Sequence, residues 1–219
     1  CAQVWGGEDT NKTPRLKRIL RCVFHALAEK QLTLYEALYL VTTDDLDGVR
    51  GLITSGLDNL VIQRQWEDLA ALRPDRRSEI LESSMNRLME FLAADIVKQT
   101  VGQQKQVLDL SACMDEGKVV LVNLAPNNRL SEDNARLLGT LLVNDLFVRA
   151  RHRPPKSRPF YVYIDECARY VTDDVARILD EGRKFGLHLI LAHQHLAQLR
   201  AVSEVVYSAV MTNAQTKVV

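Results

Sequence analysis

With 219 residues, of which 47% are apolar and 26% charged, the chain has the composition of a globular protein and is long enough for one large domain or two small ones. Lys plus Arg and Asp plus Glu both number 28, so net charge gives no sign of a nucleic-acid partner, and any such contact has to come from a local patch. The apolar stretches are far shorter than the roughly 20 residues of a membrane-spanning helix, and no signal peptide is visible.

The cysteines and the chain ends carry two further expectations. Four cysteines stand far apart without a Cys-x-x-Cys, which argues against a zinc knuckle or a disulfide framework and favours a reducing compartment: Cys1, Cys22, Cys113 and Cys167. The chain opens on a cysteine and ends on an apolar run, 217–219, that is typical of the middle of a strand. We interpret it as a fragment excised from a longer protein.

Helical spacing dominates the first half, from residue 14 to 106. Apolar residues recur there at intervals of three and four, which predicts an all-helical domain over residues 1–110 with an apolar bundle core. Thr33 and Glu36 have the spacing of a capping box, and Ser78 is predicted to cap a later helix. The buried face of that later helix is predicted to consist of Ile80, Met85, Leu88, Leu92 and Ile96.

The pattern changes after residue 116. A continuous β-branched run at 118–124, of the kind found in strands covered on both faces, predicts the start of a parallel sheet. Three further apolar runs predict strands at 160–164, 187–192 and 216–219. The intervening segments predict helices, one capped by Ser131 and one that is capped by Thr172 and stops at Gly186. This alternation of strand and helix predicts an α/β layered domain over residues 111–219.

Unusual polar residues fall at the carboxyl ends of two neighbouring predicted strands, where ligands sit in such folds. One strand ends in Asp165-Glu166 and the next is followed by Gln194. Two adjacent carboxylates suit metal-assisted hydrolysis of a phosphoanhydride, in which Asp165 holds Mg²⁺ through its water and Glu166 orients the attacking water. Gln194 could sense the terminal phosphate or that water. The alternatives are structural: the acidic pair ends the strand and caps the following turn, and Gln194 is a solvated polar side chain of a loop.

Arg183 and Lys184 close the helix between the same two strands. Two interpretations stay open for them. A cation at a helix C-terminus contributes a few tenths of a kcal/mol to ~1 kcal/mol. Alternatively, Arg183 is an arginine finger that completes the site of a neighbouring subunit.

Taken together, these segments resemble one family. The segments that carry the resemblance are Phe160-Tyr161-Val162-Tyr163-Ile164-Asp165-Glu166, Glu181-Gly182-Arg183-Lys184-Phe185-Gly186-Leu187 and Leu189-Ile190-Leu191-Ala192-His193-Gln194, with 114–124 and 134–142 upstream. They are similar to the TraG/TraD-type coupling ATPases of conjugative transfer and type IV secretion, within the FtsK/HerA-like class of P-loop ring motors. The likeness covers most of the chain and is densest over 114–196.

The resemblance implies a partial RecA-like parallel sheet, the part of a P-loop NTPase core without its Walker A portion, with the all-α domain as an insertion. It implies a motor that uses ATP and Mg²⁺, forms a hexameric ring, and moves DNA or nucleoprotein toward type IV secretion components. Asp165 would be the Walker B aspartate, Glu166 the catalytic glutamate, Gln194 the sensor and Arg183 the candidate finger. The implied compartment is the bacterial cytoplasm, with attachment of the parent to the inner membrane only through segments absent here.

The chain departs from this family at the phosphate-binding loop. It contains no Gly-x-x-x-x-Gly-Lys-Ser/Thr, and residues 5–10 lack both the spacing and the lysine. We therefore expect ATP binding and hydrolysis only in a full-length parent, with the isolated fragment inactive. The other interpretation is a degenerate, inactive relative.

Two basic clusters are candidates for contact with phosphates, although basic loops are mostly solvated surface. One spans 149–158, before a predicted strand and so opposite the polar strand ends, and the other consists of Arg73, Arg76 and Arg77. Two further functions also stay open: a non-catalytic scaffold that binds DNA or protein, and an ATPase that secretes protein instead of DNA.

Overall fold

The computed structural model describes residues 14–42, 45, 48–105, 107–154 and 156–218. The described residues fall into two units. A helical unit lies within Ala2–Gln106 and Asn128–Leu130, and a sheet unit lies within Val107–Asn127 and Ser131–Val219. The boundary predicted between residues 110 and 111 falls at the start of a helix that belongs to the sheet unit.

The helical unit contains six described α-helices. They are α1 (Pro14–Glu29), α2 (Ala37–Val41), α3 (Val49–Thr54), α4 (Leu60–Ala70), α5 (Pro74–Leu92) and α6 (Asp95–Val101). Helix α1 buries Ile19, Val23 and Leu27, which recur at intervals of four and lie on one face. It packs against α2, α4 and α5, so the apolar stripe predicted from the sequence is the core of a helix bundle.

Of the two helix caps predicted for this unit, one is confirmed and one is wrong. Thr33 and Glu36 form the predicted capping box, in which the Thr33 N–H donates to Glu36 Oε2 over 2.7 Å. The cap predicted at Ser78 is wrong, because α5 already begins at Pro74, with Arg73 as its N-cap residue. Proline suits the first helical position, since its fixed φ matches the helix and its missing N–H would be unpaired there anyway.

The buried face of α5 also differs from the predicted one. Its buried residues are Leu81, Ser84, Leu88, Phe91 and Leu92. Only Leu88 and Leu92 belong to the predicted set. The buried face of α5 is the one that packs against α1 and α2. Phe91 lies on this face and is among the largest fully buried side chains.

The sheet unit contains five described α-helices and two strands. They are α7 (Leu110–Glu116), α8 (Glu132–Arg151), β1 (Phe160–Ile164), α9 (Asp173–Glu181), β2 (Leu187–Leu191), α10 (Leu196–Val202) and α11 (Glu204–Asn213). The strands pair in parallel, with Phe160 opposite Leu187 and Ile164 opposite Leu191. An α/β arrangement with an all-helical unit is therefore confirmed, whereas the predicted four-stranded sheet is reduced to two strands among the described residues.

The two missing strands are corrections to the sequence analysis. Residues 118–124 and 216–218 are not paired as strands, and Val219 lies outside the described residues. Val119 and Leu121 are 86% and 91% exposed, although their side chains are apolar. A β-branched run forms a strand only where a neighbour supplies ladder hydrogen bonds, and no described residue supplies them here.

The helices of the sheet unit pack on one face of this sheet. Phe160, Val162 and Ile164 join the apolar core, together with residues of α8, α9, α10 and α11. Tyr161 and Tyr163, on the opposite face, are 56% and 76% exposed. In this structure the described residues therefore leave the second face of β1 largely exposed. Among the described residues, no helix is both long enough and apolar enough to cross a bilayer.

The predicted caps of this unit differ in outcome. Ser131 Oγ accepts a hydrogen bond from the Asn134 N–H over 3.3 Å, as predicted for the start of α8. Thr172 occupies the N-cap position of α9, but its side chain makes no capping hydrogen bond. Helix α9 ends at Glu181 and continues as a 3₁₀ segment, Gly182–Phe185. Gly186 then follows with a φ of 71°, which favours glycine.

Arg153 lies buried where α7, α8 and the amino ends of both strands meet. Its Nε donates to Asp115 Oδ1 over 2.9 Å, and its Nη2 donates to the Arg158 carbonyl over 2.8 Å. The carbonyl oxygens of Met114 and Phe185 accept from the same guanidinium at 3.4 and 3.3 Å. Arg153 was expected in an exposed basic cluster, and the structure makes it a structural cation instead.

A test of this role replaces Arg153 with methionine, which keeps much of the apolar length but removes every donor. We expect the free energy of unfolding to fall by about 3 kcal/mol, because one carboxylate and several carbonyl groups lose their partner. Urea denaturation followed by circular dichroism measures the change. Arg158→Met, at an exposed arginine of the same loop, is the control and should stay within about 0.5 kcal/mol of wild type. An equally small change in Arg153→Met would contradict the argument.

Gly139 permits a close approach between α8 and the turn after β1. A Cβ at this position would lie 2.3 Å from Tyr170 Cδ1 and 2.9 Å from Leu124 Cδ1. The neighbouring Thr140 donates its hydroxyl to the Tyr170 carbonyl over 3.2 Å. The Tyr170 ring can therefore lie directly on the helix backbone.

Alanine in place of a helical glycine normally stabilises a protein by about 0.5–1 kcal/mol, and here we expect the sign to reverse. Gly139→Ala should lower the free energy of unfolding by about 1–3 kcal/mol, because Tyr170 has to move. The control is Gly51→Ala in α3. Among the described residues its Cβ would contact Asp45 Oδ2 alone, at 3.8 Å, so we expect this variant to be stabilising. Thermal denaturation of both variants measures the two signs. Stabilisation by Gly139→Ala would be inconsistent with the packing described.

Candidate active site at the carboxyl ends of the strands

The backbone joins the carboxyl ends of β1 and β2 beyond the last strand residues. The Ala192 N–H donates to the Ile164 carbonyl over 3.0 Å, and the Cys167 N–H donates back to the Ala192 carbonyl over 2.9 Å. These two bonds continue the parallel pairing into the loops. They place the residues after β1 next to those after β2.

Asp165 and Glu166 occupy a tight turn directly after β1. Glu166 has a left-handed backbone, with φ 45° and ψ 48°, and its N–H donates to Asp165 Oδ1 over 3.0 Å. A 3₁₀ turn, Cys167–Arg169, follows at once. The chain thus reverses direction within a few residues, with Asp165 exposed and Glu166 about half-buried.

Gln194 reaches Glu166 from the neighbouring strand end. Its Nε2 donates to Glu166 Oε1 over 3.1 Å. The loop that carries Gln194 is fixed by Gln198 of α10, whose Oε1 accepts from the backbone N–H groups of Gln194 and His195, each at 3.3 Å. An acidic side chain and an amide from two strand ends therefore meet at one edge of the sheet.

Arg169 is a member of this group that the sequence analysis missed. Its Nε lies 2.8 Å from Glu166 Oε2, and its Nη1 lies 3.6 Å from Glu132 Oε1 at the start of α8. In the sequence, Arg169 stands three residues after Glu166. This spacing brings the two side chains together only if the chain turns between them. The sequence allowed a turn after the acidic pair, but no periodicity or motif indicated one that brings Arg169 back to Glu166. We refer to Asp165, Glu166, Arg169 and Gln194 as the strand-end cluster.

Arg183 does not belong to the strand-end cluster. It is exposed in the 3₁₀ segment Gly182–Phe185, which precedes β2, whereas Gln194 follows that strand. The five residues of β2 span roughly 13 Å at the usual rise per residue, so Arg183 lies at the opposite edge of the sheet. Lys184 is exposed in the same segment.

The donor groups of the cluster suit Mg²⁺ only in part. In the described ranges of the chain, no group of three or more His, Cys, Asp or Glu side chains could hold a metal ion by itself. Mg²⁺ in phosphoryl-transfer sites keeps several waters and takes only one or two carboxylates, with substrate phosphates completing its shell. A single exposed carboxylate such as Asp165 fits that weaker kind of site, and a cage made entirely of protein ligands does not fit.

Cys167 and His193 are the other reactive side chains near the cluster. Cys167 is fully buried, and this burial raises the pKa of its thiol to about 11. At neutral pH it is therefore a thiol and not a nucleophilic thiolate. His193 Nδ1 is buried and has no hydrogen-bond partner within the part of the chain that the structure describes. The strand-end cluster itself offers two carboxylates, an amide and a guanidinium.

Several arginines of the two predicted basic clusters are buried or paired, so fewer of them are free to contact phosphates than the sequence predicted. In the first cluster Arg153 is buried and Arg149 pairs with Asp145 over 2.9 Å, while Arg151 and Arg158 remain exposed. In the second cluster Arg76 pairs with Glu79, and Arg77 Nη2 donates to the Leu72 carbonyl over 2.9 Å. Contact with DNA at either place stays a prediction.

Comparison with known proteins adds no relative: no family model, no curated protein and no solved structure matches the chain. A function is therefore inferred from the strand-end cluster and from the sequence pattern that predicted most of it.

Proposed function

We propose that the chain carries the water-activating part of a nucleoside-triphosphate hydrolysis site in a motor ATPase. The observation that supports this most directly is the 3.1 Å hydrogen bond from Gln194 Nε2 to Glu166 Oε1 across adjoining strand ends. In parallel α/β sheets this edge is where ligands bind. The combination of Asp165, the adjacent Glu166 and the Gln194 amide that is hydrogen-bonded to Glu166 suits phosphoanhydride hydrolysis.

Each residue has a separate task in this proposal. Glu166 accepts a hydrogen bond from the attacking water and draws its proton, which orients the oxygen for in-line attack. Gln194 donates its amide to Glu166, so its own Oε1 is left to accept from the same water. Asp165 would hold Mg²⁺ through a water molecule, and the ion would supply charge stabilisation for the phosphates. The rest of the site has to come from another segment that carries a phosphate-binding loop.

The placement of Arg183 supports a role between subunits. A residue at the opposite edge of the sheet cannot contact Glu166 of its own chain, but it can point into the site of a neighbour in a ring. We therefore propose a hexameric assembly in which Arg183 acts as a finger in trans. In the wider proposal this RecA-like motor moves DNA or nucleoprotein in conjugation or type IV secretion, or moves protein with the same chemistry.

The second candidate is a scaffold without catalytic activity. It is favoured by the ion pair between Arg169 and Glu166 and by the hydrogen bond that Asp165 accepts from the turn, since both would also stabilise a purely structural turn. The two candidates differ in what the removal of a single carboxylate does. Only in the hydrolytic candidate does turnover of ATP depend on the negative oxygen of Glu166.

The test uses the full-length gene product and compares Glu166→Gln with wild type. We expect kcat for ATP hydrolysis to fall by about 10²–10⁴-fold, because glutamine cannot accept the water proton. Gln194→Ala should also lower kcat, and Asp165→Asn should raise the Mg²⁺ concentration needed for half-maximal rate. Release of inorganic phosphate, with and without DNA, measures these effects and shows which polymer, if any, stimulates turnover.

The matched control is Glu116→Gln at the other edge of the sheet unit. Glu116 is similarly exposed and is also paired, with its Oε2 2.6 Å from Lys118 Nζ, so the substitution removes an equivalent surface charge. It should leave kcat within about twofold, as expected for a weak surface ion pair. Wild-type protein without ATPase activity, or a Glu166→Gln variant as active as Glu116→Gln, would favour the scaffold.

A further inference from the structure

We propose that Arg169 is a positioning residue that fixes the orientation of the Glu166 carboxylate, an inference that rests on the proposed hydrolytic function. Arg169 and Gln194 hold different oxygens of the same carboxylate. Arg169 Nε lies 2.8 Å from Oε2, and Gln194 Nε2 lies 3.1 Å from Oε1. A carboxylate held at both oxygens cannot rotate about its last bond without losing one partner.

The backbone of the turn explains why Arg169 can do this. The left-handed conformation of Glu166 reverses the chain, and the Arg169 N–H then donates to the Glu166 carbonyl over 3.0 Å. The two side chains therefore start from the same side of a tight turn. The guanidinium also lies 3.6 Å from Glu132 of α8, so it is held from a second element of the unit.

This ion pair has little to offer stability, because both side chains are 44% exposed and water screens their attraction. Its effect on geometry is a different matter. A carboxylate has about four lone-pair positions, so Glu166 can still accept a hydrogen bond from water while both oxygens are occupied. Fixed donors on either side determine which positions remain, and thus the direction from which the water approaches.

The first test measures hydrolysis by the full-length gene product carrying Arg169→Ala. We expect kcat to fall by about tenfold to a hundredfold, because a misdirected base loses much of its advantage, while the affinity for a fluorescent ATP analogue stays within about threefold. Arg169→Lys should be intermediate, since it retains the charge but has no planar fork.

A double-mutant cycle separates positioning from general damage. Because Arg169 acts through Glu166, Arg169→Ala should cause no further loss of kcat in a Glu166→Gln background. The matched control is Arg64→Ala in α4, an exposed arginine that also lies near two carboxylates, at 3.5 Å from Glu67 and 3.2 Å from Asp68. It should leave kcat within about twofold.

A second measurement needs neither nucleotide nor activity. The Nε–H signal of Arg169 in a ¹H–¹⁵N spectrum of the chain should be visible and slow to exchange, because this proton faces Glu166 Oε2. Glu166→Gln should shift this signal and speed its exchange, whereas Glu116→Gln should not. The Arg64 signal should stay unchanged in both variants.

The outcomes distinguish this inference from the function on which it rests. If Glu166→Gln lowers kcat and Arg169→Ala does not, the hydrolytic site stands and the positioning role is wrong. If Arg169→Ala lowers kcat equally in wild-type and Glu166→Gln backgrounds, Arg169 acts independently of Glu166 and the inference is again wrong. Wild-type protein without ATPase activity would overturn both, and an Arg169 signal insensitive to Glu166→Gln would overturn the contact itself.

Discussion

The candidate site depends on the parallel pairing of β1 with β2. The register that sets Phe160 opposite Leu187 and Ile164 opposite Leu191 brings the two strand ends level, and the bonds through Ala192 carry the pairing into the loops. An exposed hydrogen bond contributes only about 0.5–1.5 kcal/mol, so the contact between Gln194 and Glu166 is a result of this backbone arrangement and not its cause. A slip of one residue would turn Tyr161 and Tyr163 toward the core, which makes the register strongly specified by side-chain burial.

Arg153 fixes the other ends of the same two strands. The carbonyl groups of Arg158 and Phe185 lie just before β1 and β2, and both accept from one buried guanidinium that also pairs with Asp115. Arginine suits this place because its planar group presents five donors in fixed directions, whereas lysine presents a compact charge on a flexible stem. A buried cation is costly unless all of its donors are used, and here several elements share them. The sheet is thus held by a polar contact at its amino ends and by apolar packing along one face.

Sequence reasoning found the parts of the site that follow from strand ends and missed those that follow from turns. The runs at 160–164 and 187–191 are apolar and bounded by turn signals, so β1, β2 and the positions of Glu166 and Gln194 could be predicted from the pattern alone. Arg169 could not, because its contact depends on the left-handed backbone of Glu166, which no residue preference at that position indicates. The run at 118–124 has strand composition but no pairing partner among the described residues, and composition cannot supply one. In the sequence, Arg153 is one of several cations in a basic segment. Its burial could not be predicted, because the burial of a single charge inside such a segment depends on tertiary contacts alone.

The conformation of Glu166 bears on the choice between a catalytic site and a structural turn. A left-handed backbone costs a residue with a Cβ roughly 1–2 kcal/mol, and glycine or asparagine would form the same turn with less strain. At this position the two oxygens of the Glu166 side chain are each held by a donor. Arg169, in the turn itself, holds one, and Gln194, at the neighbouring strand end, holds the other. A positive φ also occurs at Gln31 and Lys156, so the backbone alone does not single out Glu166. The hydrogen bond from Gln194, on the neighbouring strand end, is what favours the hydrolytic interpretation over the scaffold.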